Sequence, residues 1–415
     1  MLKFLRKLGL TVVMCAVECG GAGKIMDIKW DQFPSLPPSP GQSRQPGLAG
    51  PFAGAHGDVL LVGGGANFPD QPPWEGGTKA WWGDLFVLER RDDGSTRWVT
   101  GKHFKLPRPI AYGMAFSTAD GVICAGGCDA VRCYRDVFRL AWNPLTREVT
   151  TTPLPPLPER LAFMAGAMVG HTIYLAGGQK TMTEAVPSKA FWALDLSRRD
   201  QPGEFKWVEL PPWPGPARIV PVAAGSGGKF FLFSGREFHS GRPTDALADA
   251  YAYDPATGTW KTLAPINVHT NGSDNGAPWC VMAGTAVGMP DGEILLFSGD
   301  RGRLFLQLEA FDLEGEALRK QMAAAADPAR AAWQGEIDAR LLAKKKIYES
   351  HPGFNREVLG YDPRRDTWRV IMRSPVPGQV TTIAVPWDGA IVIPSGEVRP
   401  GIRTADVTRL TPVSR

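Results

Sequence analysis

The sequence predicts an all-β protein assembled from six small antiparallel sheets. Three observations carry that prediction: a composition rich in chain breakers, a short hydrophobic strand ending in paired small residues that recurs six times, and a strand–turn–tryptophan landmark that follows most of those strands. The chain has 415 residues, of which Gly 48 and Pro 37 make up about a fifth, against an average of roughly one eighth. So many breakers would interrupt a mostly helical bundle. Hydrophobic residues at 43% and charged residues at 21% supply a large core and exclude global disorder. Trp 14 and Phe 19 against Tyr 7 add an aromatic, strand-forming bias. A formal net charge of +4 over this length argues against a dedicated nucleic-acid binder.

The recurring strands are Leu60–Gly64, Val122–Gly127, Ile173–Gly178, Phe231–Gly235, Leu295–Gly299 and Ile391–Gly396. Counted at their last glycines, 64, 127, 178, 235, 299 and 396, they are spaced by 63, 51, 57, 64 and 97 residues. The second landmark is clearest where Tyr253-Asp254-Pro255 leads to Trp260 and Tyr361-Asp362-Pro363 leads to Trp368. Trp98 and Trp207 close comparable strands, and Trp142-Asn143-Pro144 is a decayed copy. Copies at roughly fifty residues match the kelch period, whose unit is a four-stranded blade. The fold class read from this is a six-bladed kelch-type β-propeller over 28–412. Glycine pairs let the chain turn beside the central channel, Asp-Pro turns join the outer strands, and each Trp wedges between blades. These residues specify the fold and carry no chemistry.

The ring needs a seam. After Glu397 the chain has room for one further strand, about Asp406 to Leu410, whereas 28–35 reads as a lone outer strand with Trp30. Pairing the two completes the sixth blade and removes exposed edges. The long spacing also needs an account. Gly299 to Asp362 is 63 residues where Gly235 to Asp254 is 19, and the excess has helical composition. A mainly helical insertion, 303–357, therefore leaves blade five between its second and third strands, as a lid or rim or as a packing ornament.

Residues 1–23, with Lys3, Arg6 and Lys7 before an apolar run too short to span a bilayer, read as a signal peptide. That implies a periplasmic or secreted protein. Outside this leader four cysteines remain. Cys128 and Cys133 flank one loop, as a disulfide or as free thiols. No zinc-ligand spacing is present.

The loops after the doublets and the segments before each new blade emerge on one face of a propeller. That face receives Asn67, Asp129, Gln179, Arg236 and Glu237, then Asp300, Arg301, Glu397 and Arg399. Cations around a narrow mouth would attract an anionic small molecule, although for Arg108, Arg160 and Arg218 capping of nearby carbonyls is the favoured reading. The most informative stretch is Gly396-Glu397-Val398-Arg399-Pro400-Gly401-Ile402-Arg403-Thr404. Its Pro-Gly turn folds the loop so that Glu397 and Arg403 face each other. A carboxylate beside a guanidinium stays ionised and can act as a base; from spacing alone an ordinary loop ion pair is the alternative.

This Gly-Glu-x-x-Pro-Gly-x-Arg-Thr loop resembles the active-site loop of the N-acetylneuraminate epimerases, the sialic acid mutarotases of the kelch class. Gly63-Gly64-Gly65-Ala66-Asn67-Phe68-Pro69, Trp74-Glu75-Gly76-Gly77-Thr78-Lys79 and Phe354-Asn355-Arg356 are similar to a circularly permuted branch of that family. The resemblance implies an isomerase that interconverts the α and β anomers of sialic acid or a related acidic sugar, without metal or other cofactor. It carries catalytic roles onto Glu397 and Arg403. Glu397 would shuttle the proton between the anomeric hydroxyl and the ring oxygen, and Arg403 would pair with the sugar carboxylate. Asn67, Arg236 and Asp300 are the expected substrate contacts. The Cys128–Cys133 loop departs from the family pattern. The expected partner is a small acidic sugar, with no nucleic acid and no membrane span. The rival readings are a non-enzymatic kelch module that binds carbohydrate or protein, a copper radical oxidase, and a glycosidase with two carboxylates across the site.

Overall fold

The computed structural model describes residues 27–184, 186–268, 279–323 and 327–413; the expected leader lies outside them. A buried strand that turns beside the central axis needs a backbone most side chains avoid. The first residue of each small pair takes it: Gly64, Gly126 and Gly177 at φ of 70°, 62° and 73°, then Ser234, Ser298 and Ser395 at 55°, 62° and 58°. A non-glycine residue there costs about 1–2 kcal/mol. Ser395 offsets this cost through its hydroxyl, which takes the Leu48 N–H at 2.7 Å and donates to the Thr404 carbonyl at 2.7 Å. Ser234 does the same between Val281 and Leu247. The first pair is thus Gly64–Gly65 rather than Gly63–Gly64. In a run of three glycines the composition does not mark which one turns, but Gly65 N–H bonds the next blade's Ile110 carbonyl as Gly127 bonds Leu161.

The described residues form six antiparallel sheets, each with four principal strands. Gly50, at the start of the innermost strand of blade one, and Tyr112, Phe163, Val220, Ala283 and Thr381, just before those of the other five, are all at positive φ. These six residues form a closed belt. The N–H of Tyr112 donates to Gly50, Phe163 to Tyr112, Val220 to Phe163, Ala283 to Val220, Thr381 to Ala283 and Gly50 back to Thr381, at 2.6–2.9 Å. One hydrogen bond per blade joins neighbours head to tail, which fixes the blade number and locks the inner strands at one end of the channel. The inner strands surround a cavity of about 420 Å³ lined by small and apolar residues such as Ala115, Ala167 and Ala286.

At the periphery tryptophans tie blades one, three, four and five to the blade before each. The indole N–H groups of Trp98, Trp207, Trp260 and Trp368 donate to the carbonyls of Pro34, Pro155, Pro211 and Ala264 at 2.8–2.9 Å. Each bond contributes about 1 kcal/mol on top of the ring's buried area. Between blades four and five Phe231, Phe233, Tyr361 and Trp368 pack as one cluster. The seam closes as a strand Asp27–Phe33 paired with Val407–Val413, Trp30 opposite Leu410.

Among the described residues, four blades emit segments with regular structure of their own between their second and third strands; blade one emits a turn of 3-10 helix, Pro73–Glu75, and a short strand, Ala80–Trp81. Blade four emits the hairpin Arg236–His239/Arg242–Ala246, and blade six the hairpin Glu397–Arg399/Ile402–Arg403. Blade five emits two helices, α1 (Arg303–Ala323) and α2 (Asp327–Ser350). Arg340 and Lys344 of α2 pair with Glu314 and Asp312 of α1, so the helices stand as an antiparallel pair. No helix among the described residues is long and apolar enough to cross a membrane.

Candidate functional site

Six positions follow the small pairs: Ala66, Cys128, Gln179, Arg236, Asp300 and Glu397. Each pairs with the residue just before its blade's belt residue, namely Ala49, Ala111, Ala162, Ile219, Met282 and Val380. They are related by the rotation of the propeller and ring the mouth above the belt. Blades one to three present neutral groups there, and blades four to six present a guanidinium and two carboxyls.

On blade six, Glu397 and Arg403 are direct partners across the hairpin. Arg403 Nη1 lies 3.4 Å from Glu397 Oε1, and the two side chains are 4% and 15% exposed. Glu397 Oε1 also takes the Gly401 N–H at 2.6 Å. Gly401 sits at φ 78°, and a Cβ there would come within 2.7 Å of Pro73 and 2.9 Å of Trp74; only glycine makes this turn. The Phe68 ring lies 4.8 Å from the Arg403 guanidinium. Nε and Nη1 of Arg403 are buried with no hydrogen-bond acceptor. A cavity of about 390 Å³ borders Arg403, Phe68, Asp70 and Arg44.

On blade four, Arg236 is sandwiched between Phe238 and Phe305 at 4.8 and 4.3 Å, with Nε likewise buried and unpartnered. Burial pulls its guanidinium below the usual range, while Asp300, Glu309 and Glu397 act against that pull. On blade five, Asp300 Oδ1 takes the Gly302 N–H at 2.8 Å. Burial pushes its carboxyl above the usual carboxylate range, and the Gly302 N–H and Arg236 oppose the shift.

The helices are pinned over this charged half. Glu309 of α1 accepts the Thr244 N–H at 2.8 Å and the Thr244 hydroxyl, and Phe305 covers Arg236. At the end of α2, Tyr348 stacks on Trp74 at 5.1 Å and 4°. The Glu349 carbonyl accepts from Arg399 at 3.4 Å, and Phe354 N–H donates to the Val398 carbonyl at 3.3 Å. Burial, Asp312 and Glu397 push the Tyr348 phenol up. Burial and Arg399 push His351 down, with Glu397 opposing. The insertion is a rim that joins the loops of blades one, four and six.

A family profile described as N-acetylneuraminate epimerase matches residues 154–413. The chain belongs to that family. Among similar proteins, an N-acetylneuraminate epimerase of Haemophilus influenzae (strain PittEE) is 26% identical over 262 residues, 61% of this chain and 57% of the relative. One of Brucella melitensis is 29% identical over 283 residues, 65% and 61% of the two chains. The chain therefore matches 57–61% of the length of these relatives. The solved structure of YjhT is similar in fold, with a TM-score of 0.57 at 14% identity, covering 91% of this chain and 97% of that one. The stretch shared with the N-acetylneuraminate epimerases contains Arg236, Asp300, Glu397 and Arg403.

Asn67 lies outside that stretch and one residue beyond the ring position, which Ala66 occupies. Its amide is spent on structure: Nδ2 donates to the Gly47 carbonyl and Oδ1 accepts from Trp82, both at 2.8 Å, and it is 1% exposed. Arg218 is fully buried, bidentate to Asp249 at 2.7 Å, and caps the Ser234 carbonyl. Arg108 pairs with Asp136 at 3.0 Å over the Tyr134 ring, and Arg160 is exposed. Cys128 and Cys133 face each other in an antiparallel bridge as free thiols; burial pushes them to about 12 and about 11. Glu237, His239 and Asp245 bring three possible ligand atoms within 4.8 Å. His239 is already engaged there, with Arg242 on Nδ1 and Asp245 on Nε2, both at 2.8 Å. Sequence reading missed Phe68, Phe305, Glu309, Tyr348 and His351 as neighbours of the site. Only Phe68, next to Asn67, carried a local signal.

Proposed function

We propose that this protein interconverts the α and β anomers of N-acetylneuraminate or a closely related acidic sugar. The observation that carries the reading is the set of guanidinium donors without a hydrogen bond at the mouth: Nε of Arg403 and Nε of Arg236, and Nη1 of Arg403, which has only its ion pair with Glu397 at 3.4 Å. A buried N–H without an acceptor costs about 1–3 kcal/mol, more when charged, so such groups ask for a ligand that brings acceptor oxygens. A sugar carboxylate brings two, and a guanidinium can hold both at once. Family membership supports the choice of an acidic sugar.

Ring opening of the cyclic hemiketal takes a proton from the anomeric hydroxyl, forms the ketone and breaks the bond to the ring oxygen, which must gain a proton. Glu397 takes the first proton. Arg403 holds the sugar carboxylate so that the anomeric hydroxyl meets Glu397, and Arg236 and Asp300 contact other parts of the sugar. Uncatalysed exchange is already fairly fast, so positioning and proton transfer are sufficient help. The basic and apolar composition of 1–23 supports export to the periplasm or beyond.

Anomer exchange of N-acetylneuraminate followed by NMR tests this reading. Wild type accelerates exchange over buffer, and Glu397→Ala does not. Binding of the sugar without acceleration would instead establish a carbohydrate-binding module.

A further inference from the structure

Resting on that reading, we infer that Asp300 is the acid that gives a proton to the ring oxygen while Glu397 takes one from the anomeric hydroxyl, so that two residues divide a task one could shuttle alone. Asp300 and Glu397 stand at the same position of neighbouring blades, one step apart around the mouth. Asp300 exchanges backbone hydrogen bonds with Met282 at 2.8 and 3.1 Å, and Glu397 exchanges them with Val380 at 2.9 Å. Both carboxyls therefore leave the same strand edge towards the same opening, and both face Arg236.

The two carboxyls differ in their surroundings. Glu397 has a guanidinium at 3.4 Å and a backbone N–H at 2.6 Å on one oxygen, partners that a carboxylate satisfies. Among the described residues Asp300 takes one hydrogen bond, from the Gly302 N–H to Oδ1, and its Oδ2 is the oxygen we assign to the substrate. It is enclosed by protein yet keeps part of its surface open, as a group that must reach a ligand requires. Among the described residues, the charged and titratable groups facing it are Arg236 from the blade-four hairpin and Cys280 from the segment before the blade's inner strand. Glu309 of α1 and Glu397 share Arg236 with it. Burial outweighs the pull of Arg236 and raises the carboxyl above its usual range, in the direction that keeps a proton available. A buried carboxyl that holds its proton, beside a second one ion-paired to a guanidinium, is an arrangement that separates an acid from a base.

The step balances. Glu397 gains the hydroxyl proton as the ketone forms, the bond from the anomeric carbon to the ring oxygen breaks, and that oxygen takes the proton of Asp300. After the ketone rotates, the ring oxygen attacks its other face, Asp300 recovers its proton and Glu397 returns the one it held. Nothing is consumed.

The test is the NMR exchange rate of N-acetylneuraminate against pH for wild type, Asp300→Asn and Asp300→Glu, each first checked for an unchanged thermal midpoint. Asn keeps an Oδ1 for the Gly302 N–H but has no acidic proton. Asp300→Asn is expected to lower kcat about 100-fold with KM within about threefold, and Glu to recover part of the loss. The sign of the pH effect follows from the role: wild-type kcat falls as pH rises through the raised Asp300 value, and that alkaline limb is absent in the Asn variant. If Asp300→Asn matches wild type in kcat and pH profile, or raises KM alone, the assignment is overturned while the mutarotase reading stands. If wild type does not accelerate exchange, both fall together.

Discussion

The two halves of the mouth share one backbone and differ in what they present. Ala66, Cys128 and Gln179 are placed by the same bridges as Arg236, Asp300 and Glu397. Yet Gln179 spends its amide on the Thr181 carbonyl at 2.8 Å and Cys128 is fully buried, whereas the charged half holds guanidinium N–H groups with no acceptor. The two hairpins and the helices leave blades four to six, and the blade-one segment that carries Phe68 and Trp74 reaches across to them. A symmetric scaffold thus supplies six equivalent positions, and the site is made by loading three of them and building a rim above.

That comparison can be broken at several points. Asp249 lies in the charged half but serves the scaffold, since it neutralises the fully buried Arg218. Asp249→Ala is expected to lower unfolding stability by about 3–5 kcal/mol in denaturant titration; a loss confined to kinetics would move that pair into the site. Arg403→Ala is next in size. It should raise KM for the acidic sugar about 10- to 100-fold, the cost of about 1.4–2.8 kcal/mol in a charge-assisted bond, with the thermal midpoint little changed. An unchanged KM would mean the unmet donors serve something other than the sugar carboxylate. The rim comes last. Trp74→Ala removes the stack on Tyr348, worth about 0.5–1.5 kcal/mol, and should raise KM by about tenfold at most while leaving kcat alone. A collapse of kcat there would show that the end of α2 does more than shape the rim.

Much of this was legible in the sequence. The paired small residues, the Asp-Pro turns and the tryptophans are short-range signals with one physical reason each, and they located six blades, the seam and the helical insertion. The hairpin that sets Glu397 opposite Arg403 was legible for the same reason, because a two-residue Pro400-Gly401 turn dictates the pairing of the residues that flank it. Asn67 shows where local signals stop. Three consecutive glycines fit the turn in two registers, and a shift of one residue moves every later side chain to the other face. The neighbours contributed by the insertion were not legible at all: Phe305 beside Arg236 and Tyr348 on Trp74 depend on how two helices lie across three blades, which no spacing encodes.

The central claim is that the charged half of the mouth performs the chemistry and the neutral half does not. Its most direct test is the anomer-exchange rate of N-acetylneuraminate, measured by NMR for Glu397→Gln and Gln179→Ala side by side with wild type. The account predicts a loss of about 10²–10⁴-fold for the first and a rate within about twofold of wild type for the second. Equal rates in the two variants, whether both intact or both lost, would contradict it.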